Sequence, residues 1–442
     1  MSEVSYARRL GLFSGTMAVV GGIIGSGIFL NPSNVARITR ANGLTILVWV
    51  LGGFIAVSGA YCYAELGHRY PKAGGGYVYL REGFGKLPAF LYGWVLLLVV
   101  ATGACAAVAY TFASYAAALF GLSESWIKPI AAVSIAALSI INYLGVGKAA
   151  VTQNLFTVLK LGALAALIIC GLALPFDASH PVVVAAALPA PSGSALPLAI
   201  GAALTPILFA YGGWQQTSFI AEEIKDAERT LPLALLFGTA IVVVVYVTAN
   251  LAYLRVLGTP GLGASGAPAA DVMTAVVGPW GRRLISAGIT CSTFGFLNLV
   301  ILVSPRVYQA MAADGVFFPA MAKLHPKYQT PATAILLQGV WATLLAMTKQ
   351  YGPLLDYVVF GDWIFFGLTA ATIFMFRRRN GPPDRFGVPF YPVLPALFVI
   401  SALYVVISSI ASAPGNAAIG AGLLLLGVPV FFFWHRRGGA TS

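Results

Sequence analysis

The feature that most constrains this chain is a run of glycines inside its first long apolar stretch, Gly21-Gly22-Ile23-Ile24-Gly25-Ser26-Gly27-Ile28-Phe29. Each glycine costs a helix about 1 kcal/mol relative to alanine, so the backbone around Gly25 to Gly27 is expected to be unwound. Inside a bilayer, unwound backbone leaves N–H and C=O groups unpaired, which is tolerated only where they are buried in protein or line a cavity. The break therefore reads as a ligand site. A second break, Phe209-Ala210-Tyr211-Gly212-Gly213-Trp214, follows several apolar segments later. Two interrupted helices at corresponding places in two halves point to a secondary transporter built from inverted repeats.

That the surroundings are a membrane follows from composition. The 442 residues are 59% hydrophobic and 9% charged, against about 25% charged in a typical soluble domain. A spanning helix takes about 20 apolar residues. The apolar stretches between polar or Gly/Pro gaps give twelve: 10–38, 41–66, 84–120, 124–144, 149–174, 195–224, 232–257, 283–312, 331–348, 353–376, 390–412 and 415–435. The net charge of +12 is not a nucleic-acid signal here, because cytoplasmic loops of membrane proteins carry an excess of Lys and Arg. With the N-terminus inside, most of the 26 Lys and Arg residues fall on the inner side, among them Arg8, Arg9, Lys72, Arg306 and Arg437. A minority, such as Arg37, Arg255 and Lys349, falls outside. Both termini are expected to be cytoplasmic.

Cys62, Cys105, Cys170 and Cys291 sit far apart in apolar segments, without metal-ligand spacing, and are expected as buried free thiols. No metal and no cofactor is expected. The first segment lacks a small-residue cleavage site and reads as retained helix. The chain has no Asn-x-Ser/Thr acceptor, since Asn31-Pro32-Ser33 is excluded by its proline. That fits a prokaryotic source and an inner (plasma) membrane.

If the first helix enters from the cytoplasm, its second half begins near Ser26 and Gly27. Free N–H groups and the positive end of a helix dipole then point into mid-membrane, where a carboxylate belongs. The sixth stretch runs the other way and breaks after Phe209, so the end of its outer half offers carbonyls to the same region. Donors on one side and acceptors on the other suit a small zwitterion, an α-amino acid. Phe209 reads equally as a lid and as core packing.

Lys160 lies about ten residues, or about 15 Å, from the inner end of the fifth stretch, close to the bilayer middle. A central lysine costs about 2.5–3.5 kcal/mol on insertion scales, and from that depth snorkelling would barely reach an interface. It reads as a functional cation. Glu65 is expected to pair at the membrane edge with Arg69 or Lys72, and Gly74-Gly75-Gly76 to make a re-entrant or tightly turned loop without phosphate-binding context. Residues 222–232 read as a mixed-charge cytoplasmic loop. Tyr246 and Asn250 share a helix face, Ser292, Thr293 and Asn298 sit near mid-depth, and Asp356 and Asp362 open the tenth stretch.

Taken together, Gly22 to Phe29, Cys62 to Tyr77, Phe209 to Pro232 and Ser304 to Gly315 resemble the amino acid–polyamine–organocation superfamily, most closely its L-type amino acid transporter branch. The resemblance implies a LeuT-like all-α fold in one transmembrane domain, 1–442. Repeat one would cover about 10–174, repeat two about 195–376, with two extra helices at about 390–435. It implies that Gly25, Ser26 and Gly27 form the carboxylate site, with the Ser26 and Gly27 amides as donors. The carbonyls of Ile23, Phe209 and Gly212 would receive the amino group. Phe209 matches an outer-gate aromatic. Lys160 matches a lysine that stands where sodium-coupled relatives bind a cation, implying sodium independence. Tyr246 and Asn298 match positions tied to gating or substrate contact. Eukaryotic L-type carriers bond a heavy subunit through a cysteine in the loop that corresponds to Phe120–Trp126; this loop has none, so no disulfide-linked heavy subunit is expected.

The expected function is alternating-access exchange of neutral amino acids, because neither break carries an acid or a base, although Glu65 or Asp362 could approach. The alternative is proton-coupled uptake with Lys160 as the titrating or charge-holding group. A membrane-embedded enzyme would need convergent catalytic groups at depth, yet His68, His180, His325 and His435 all fall in loops or at the C-terminus. A channel fits less well, since breaks in two non-equivalent helices enclose one site more naturally than a continuous pore.

Overall fold

The computed structural model describes residues 5–176, 186–347, 351–412 and 414–438, and the side chains of 351–360, 412, 416, 435, 437 and 438 lie outside it. Of the positions raised above, His180 and Lys349 lie outside the described residues, as do the side chains of Asp356, His435 and Arg437. The described chain is helical. The first apolar stretch is α1 (Leu12–Ile23) and α2 (Gly27–Thr39), bent by 43° at the break. Then come α3 (Asn42–Arg69), α4 (Gly76–Phe84), α5 (Lys86–Val95), a π-helical turn at Leu96–Val100, α6 (Ala101–Leu119), α7 (Ile127–Tyr143) and α8 (Val146–Ala173). The second half holds α9 (Ala195–Tyr211), a 3-10 segment at Trp214–Glu223, α10 (Ala227–Ala264), α11 (Pro268–Val277), α12 (Pro279–Ala313) and α13 (Ala332–Met347). It ends with α14 (Tyr351–Asn380), α15 (Val393–Ser412) and α16 (Pro414–Gly438).

Each of the twelve expected stretches contains helix among the described residues, but the structure supports fewer than twelve spans. By length and composition, nine helices among the described residues could cross a bilayer, or ten with the bent α1/α2 pair taken as one span. At 16 residues, α13 is shorter than the ~20 a crossing needs. The chain is thus an all-α, multi-pass membrane protein with one broken helix pair. Two long helices form its middle: α10 packs on α3, α1, α2 and α8, and α12 on α6 and α8.

The end of the bundle that holds the N-terminal segment is held by buried charge, which corrects two expectations. Residues 222–232 do not begin as a solvated loop, because Glu223 is fully buried and accepts from Arg306 Nε at 2.6 Å. Arg306, expected among the loop charges, is equally buried within α12. The Glu223 carbonyl also takes the amides of Arg9 and Leu10 at 3.0 Å, and Lys225 donates back to Leu10 at 2.8 Å. This binds the N-terminal segment across the start of α1 and the end of the 3-10 segment. Glu65 pairs with Arg69 as expected, and also with Arg377 of α14 and the Val388 amide. The glycine triplet turns with φ of +101° at Gly74 and +44° at Gly75. Cys62 and Cys105 are buried, whereas Cys170 and Cys291 are only half-buried.

Candidate functional site

Helix α1 stops where Ile24 turns to extended backbone (φ −76°, ψ 90°). Gly25 then folds its amide back onto the Ile23 carbonyl at 2.9 Å, and α2 starts at Gly27 behind Ser26. Among the described residues the Ser26 and Gly27 amides have no acceptor, as first-turn helix amides generally lack one within their helix. Helix α9 runs through Tyr211, two residues past the expected break at Phe209, because Gly212 is the first residue to turn extended (φ −66°, ψ 158°). Gly213 follows with φ +115°, a conformation that suits only glycine.

The two breaks cross with no side chain between them. A Cβ on Gly213 would lie 2.2 Å from the Gly22 carbonyl oxygen, and one on Gly22 would lie 2.9 Å from the Gly213 oxygen. Just beyond, a Cβ on Gly27 would meet the Ala210 Cα at 2.9 Å. Glycine is required at these positions for close approach as much as for unwinding.

The free carbonyls at the end of α1 are met by side chains from three other helices. Lys160 of α8 donates to Ile24 at 2.7 Å and to Gly21 at 3.2 Å. Ser292 of α12 reaches the same Ile24 oxygen at 3.4 Å. The Tyr246 hydroxyl of α10 is shared between Ile23 at 3.1 Å and Ala210 at 3.3 Å, so one side chain ties α1 to α9. The Ile23 oxygen therefore already has two donors, Gly25 and Tyr246, enough to occupy both its lone pairs. The Phe209 oxygen has one, the Gly212 amide at 3.2 Å, and the Gly212 oxygen has none among the described residues.

A cavity of about 110 Å³ opens onto both breaks, room for several waters at about 10–15 Å³ each. Ile23, Gly25, Ser26, Gly27, Phe209 and Gly212 all line it. The facing wall is Leu96 and Val100 of the π-helical turn, Phe296 of α12, and Asp362, Trp363 and Phe366 of α14. Lys160, Tyr246 and Asn298 do not line it. Asn298 sits in a polar ladder instead: it accepts from Asn142 at 3.0 Å and donates to Gln153 at 3.1 Å, and Gln153 donates to Thr157. Thr157 in turn donates to Met17 of α1.

Phe296 and the π-helical turn are among the lining groups that sequence reasoning missed. Phe296, whose ring is 3.5 Å from where a Gly25 Cβ would stand, carries no signal that separates it from packing phenylalanines. The π-helical turn Leu96–Val100 is five apolar residues in an apolar helix. Such turns recur at functional sites, but composition does not mark them.

The model of the amino acid permease family matches residues 10–433. Among curated proteins, the human large neutral amino acids transporter small subunit 2 is 32% identical over 98% of this chain and 82% of its own length. The human b(0,+)-type amino acid transporter 1 is 32% identical over 97% of the chain and 88% of its own. The serine/threonine exchanger SteT of Bacillus subtilis is 31% identical over 97% of both. The first of these names overturns one expectation. A relative that is itself named a small subunit is by that name one part of an assembly, so the expectation of no disulfide-linked heavy subunit does not stand. It rested on the missing cysteine of a single short loop, which does not govern association through the rest of the surface. The relatives come from both a human and a bacterial source, so they do not separate a prokaryotic from a eukaryotic origin.

Proposed function

The chain belongs to the amino acid permease family, and on that premise we propose that it exchanges neutral amino acids across the plasma membrane without sodium. It is a secondary active transporter, as the members named above are, and not an enzyme. The observation that carries the finer reading is the crossing of the two breaks at Gly22 and Gly213 beside one cavity. Unpaired amides at Ser26 and Gly27 and an unpaired carbonyl at Gly212 face that space, as a zwitterion needs.

In this reading the substrate carboxylate meets the Ser26 and Gly27 amides, with the flanking Gly25 free of a side chain. The ammonium meets the Phe209 and Gly212 oxygens, while the Ile23 oxygen is held by Tyr246 in the conformation described. Phe209 gates the outer path. Lys160 supplies the fixed positive charge that a bound cation would otherwise bring to the end of α1, which supports sodium independence. Tyr246 couples the two breaks, and Asn298 acts through its ladder to Thr157 and α1.

The architecture that goes with this is LeuT-like. Repeat one is about 10–174 and repeat two about 195–376, with two extra helices at about 390–435, and both termini are cytoplasmic. Neutral substrates and exchange are what the names of the human and Bacillus relatives suggest. Competition of a panel of unlabelled amino acids against labelled leucine uptake tests this in preloaded proteoliposomes, with choline replacing sodium. Neutral amino acids should compete at unchanged rate in choline; uptake that collapses without sodium would overturn the role given to Lys160.

A further inference from the structure

We propose that Thr102 is a positioning residue for the wall of the central cavity: its hydroxyl holds a one-residue insertion in the helix, and that insertion sets which substrate side chains the carrier prefers. This rests on the exchanger reading and deepens it. Between α5 and α6 the Ala101 amide reaches back to the Leu96 oxygen, whereas an α-helix would give it to Leu97. The Leu97 oxygen thereby loses its helical donor, and the fully buried Thr102 hydroxyl supplies one at 2.7 Å. The next oxygen, that of Leu98, takes the indole N–H of Trp341 from α13 at 3.2 Å. A carbonyl without a donor in apolar surroundings is costly, so these two side chains fix the register of the π-helical turn.

The register decides what faces the cavity. Successive residues stand about 100° apart around an α-helix, so in an unbroken helix Ala101, Ala104 and Val108 would point about 80–140° away from Leu96. One inserted residue turns α6 back by about 100°, which brings all three within about 40° of Leu96. Leu96, Val100, Ala101, Ala104 and Val108 do line the one cavity, and neither Thr102 nor Trp341 does. A substrate whose carboxylate and ammonium engage the breaks meets this wall with its side chain alone. A leucine side chain gains apolar contact there and the methyl of alanine gains little, so a shift of the wall weakens the larger substrate first.

The test uses the full chain in proteoliposomes preloaded with unlabelled leucine, with labelled leucine or labelled alanine offered outside. Thr102→Val keeps the side-chain shape and removes the donor, and it should raise the KM for leucine at least fivefold more than that for alanine. Thr102→Ser keeps the hydroxyl and should hold the ratio of the two KM values within about twofold of wild type. Trp341→Phe keeps an aromatic ring and removes the indole donor; it should shift the ratio in the same direction, and it carries the test should Thr102→Val not fold. An unchanged ratio in the folded variant, or an equal loss for both substrates, overturns the proposal and leaves the exchanger reading intact. A wild type that exchanges neither amino acid overturns that reading and the proposal with it.

Discussion

The Lys160 ammonium lies 2.7 Å from the Ile24 carbonyl oxygen and 3.2 Å from that of Gly21, so α8 holds the broken end of α1 with a positive charge. A cation there complements the helix dipole and satisfies carbonyls that the break sets free. Replacing Lys160 by alanine leaves the buried Gly21 oxygen without its donor, at about 1–3 kcal/mol, and the Ile24 oxygen with Ser292 alone. Lys160→Ala should lower exchange at least tenfold while the chain still inserts and purifies as a single species. Wild-type rates in that well-folded variant would remove Lys160 from the mechanism.

Tyr246 joins the two breaks through one hydroxyl shared by Ile23 and Ala210. Tyr246→Phe keeps the ring, which packs edge-on against Trp49 at 5.8 Å, and removes only the donor. We expect a loss of about 1–3 kcal/mol in the conformation described, read as slower exchange with little change in expression. A variant with unaltered exchange kinetics would show that the two breaks move without this link.

Gly213→Ala places a Cβ 2.2 Å from the Gly22 oxygen at a backbone angle of φ +115°. No side-chain rotation relieves a clash with backbone, so the variant should lose transport and melt at a lower temperature in detergent. Gly266→Ala, where a Cβ would meet nothing within 4 Å, is the comparison and should melt like wild type.

The Glu223 and Arg306 pair is fully enclosed. Removing one partner strands a buried charge, typically at about 3–5 kcal/mol. Arg306→Ala should therefore destabilise the protein markedly in a thermal melt. Replacing both residues with apolar side chains of similar volume should recover much of the loss. A single variant that melts like the wild type would show that this end of the bundle draws its stability elsewhere.

The glycine breaks were legible because their cost to a helix is local and large: the chain leaves helix at Ile24 to Ser26 and at Gly212-Gly213, near where composition places the breaks. Lys160 was legible because a charge at depth is rare. Its partners were not, since carbonyls of another helix leave no mark in the sequence around residue 160. The buried Glu223 and Arg306 pair reads as loop charge in the sequence, because a polar residue near a membrane edge looks the same whether it faces water or the fold. The extension of α9 to Tyr211 was equally hidden, because Phe209 and Tyr211 carry no stop signal and Ala210 favours helix without marking where it ends. Tyr246 was visible as one half of a polar pair on α10, but its bridging role depends on the packing of α1 against α9.

The most direct test of the central claim is uptake of labelled neutral amino acids into proteoliposomes, preloaded with unlabelled amino acid or left empty, with and without an inward proton gradient. Exchange by a carrier whose charge is fixed at Lys160 predicts uptake that needs preloading and is indifferent to the gradient. Accumulation in empty vesicles only when the gradient is imposed would contradict it and identify a proton symporter.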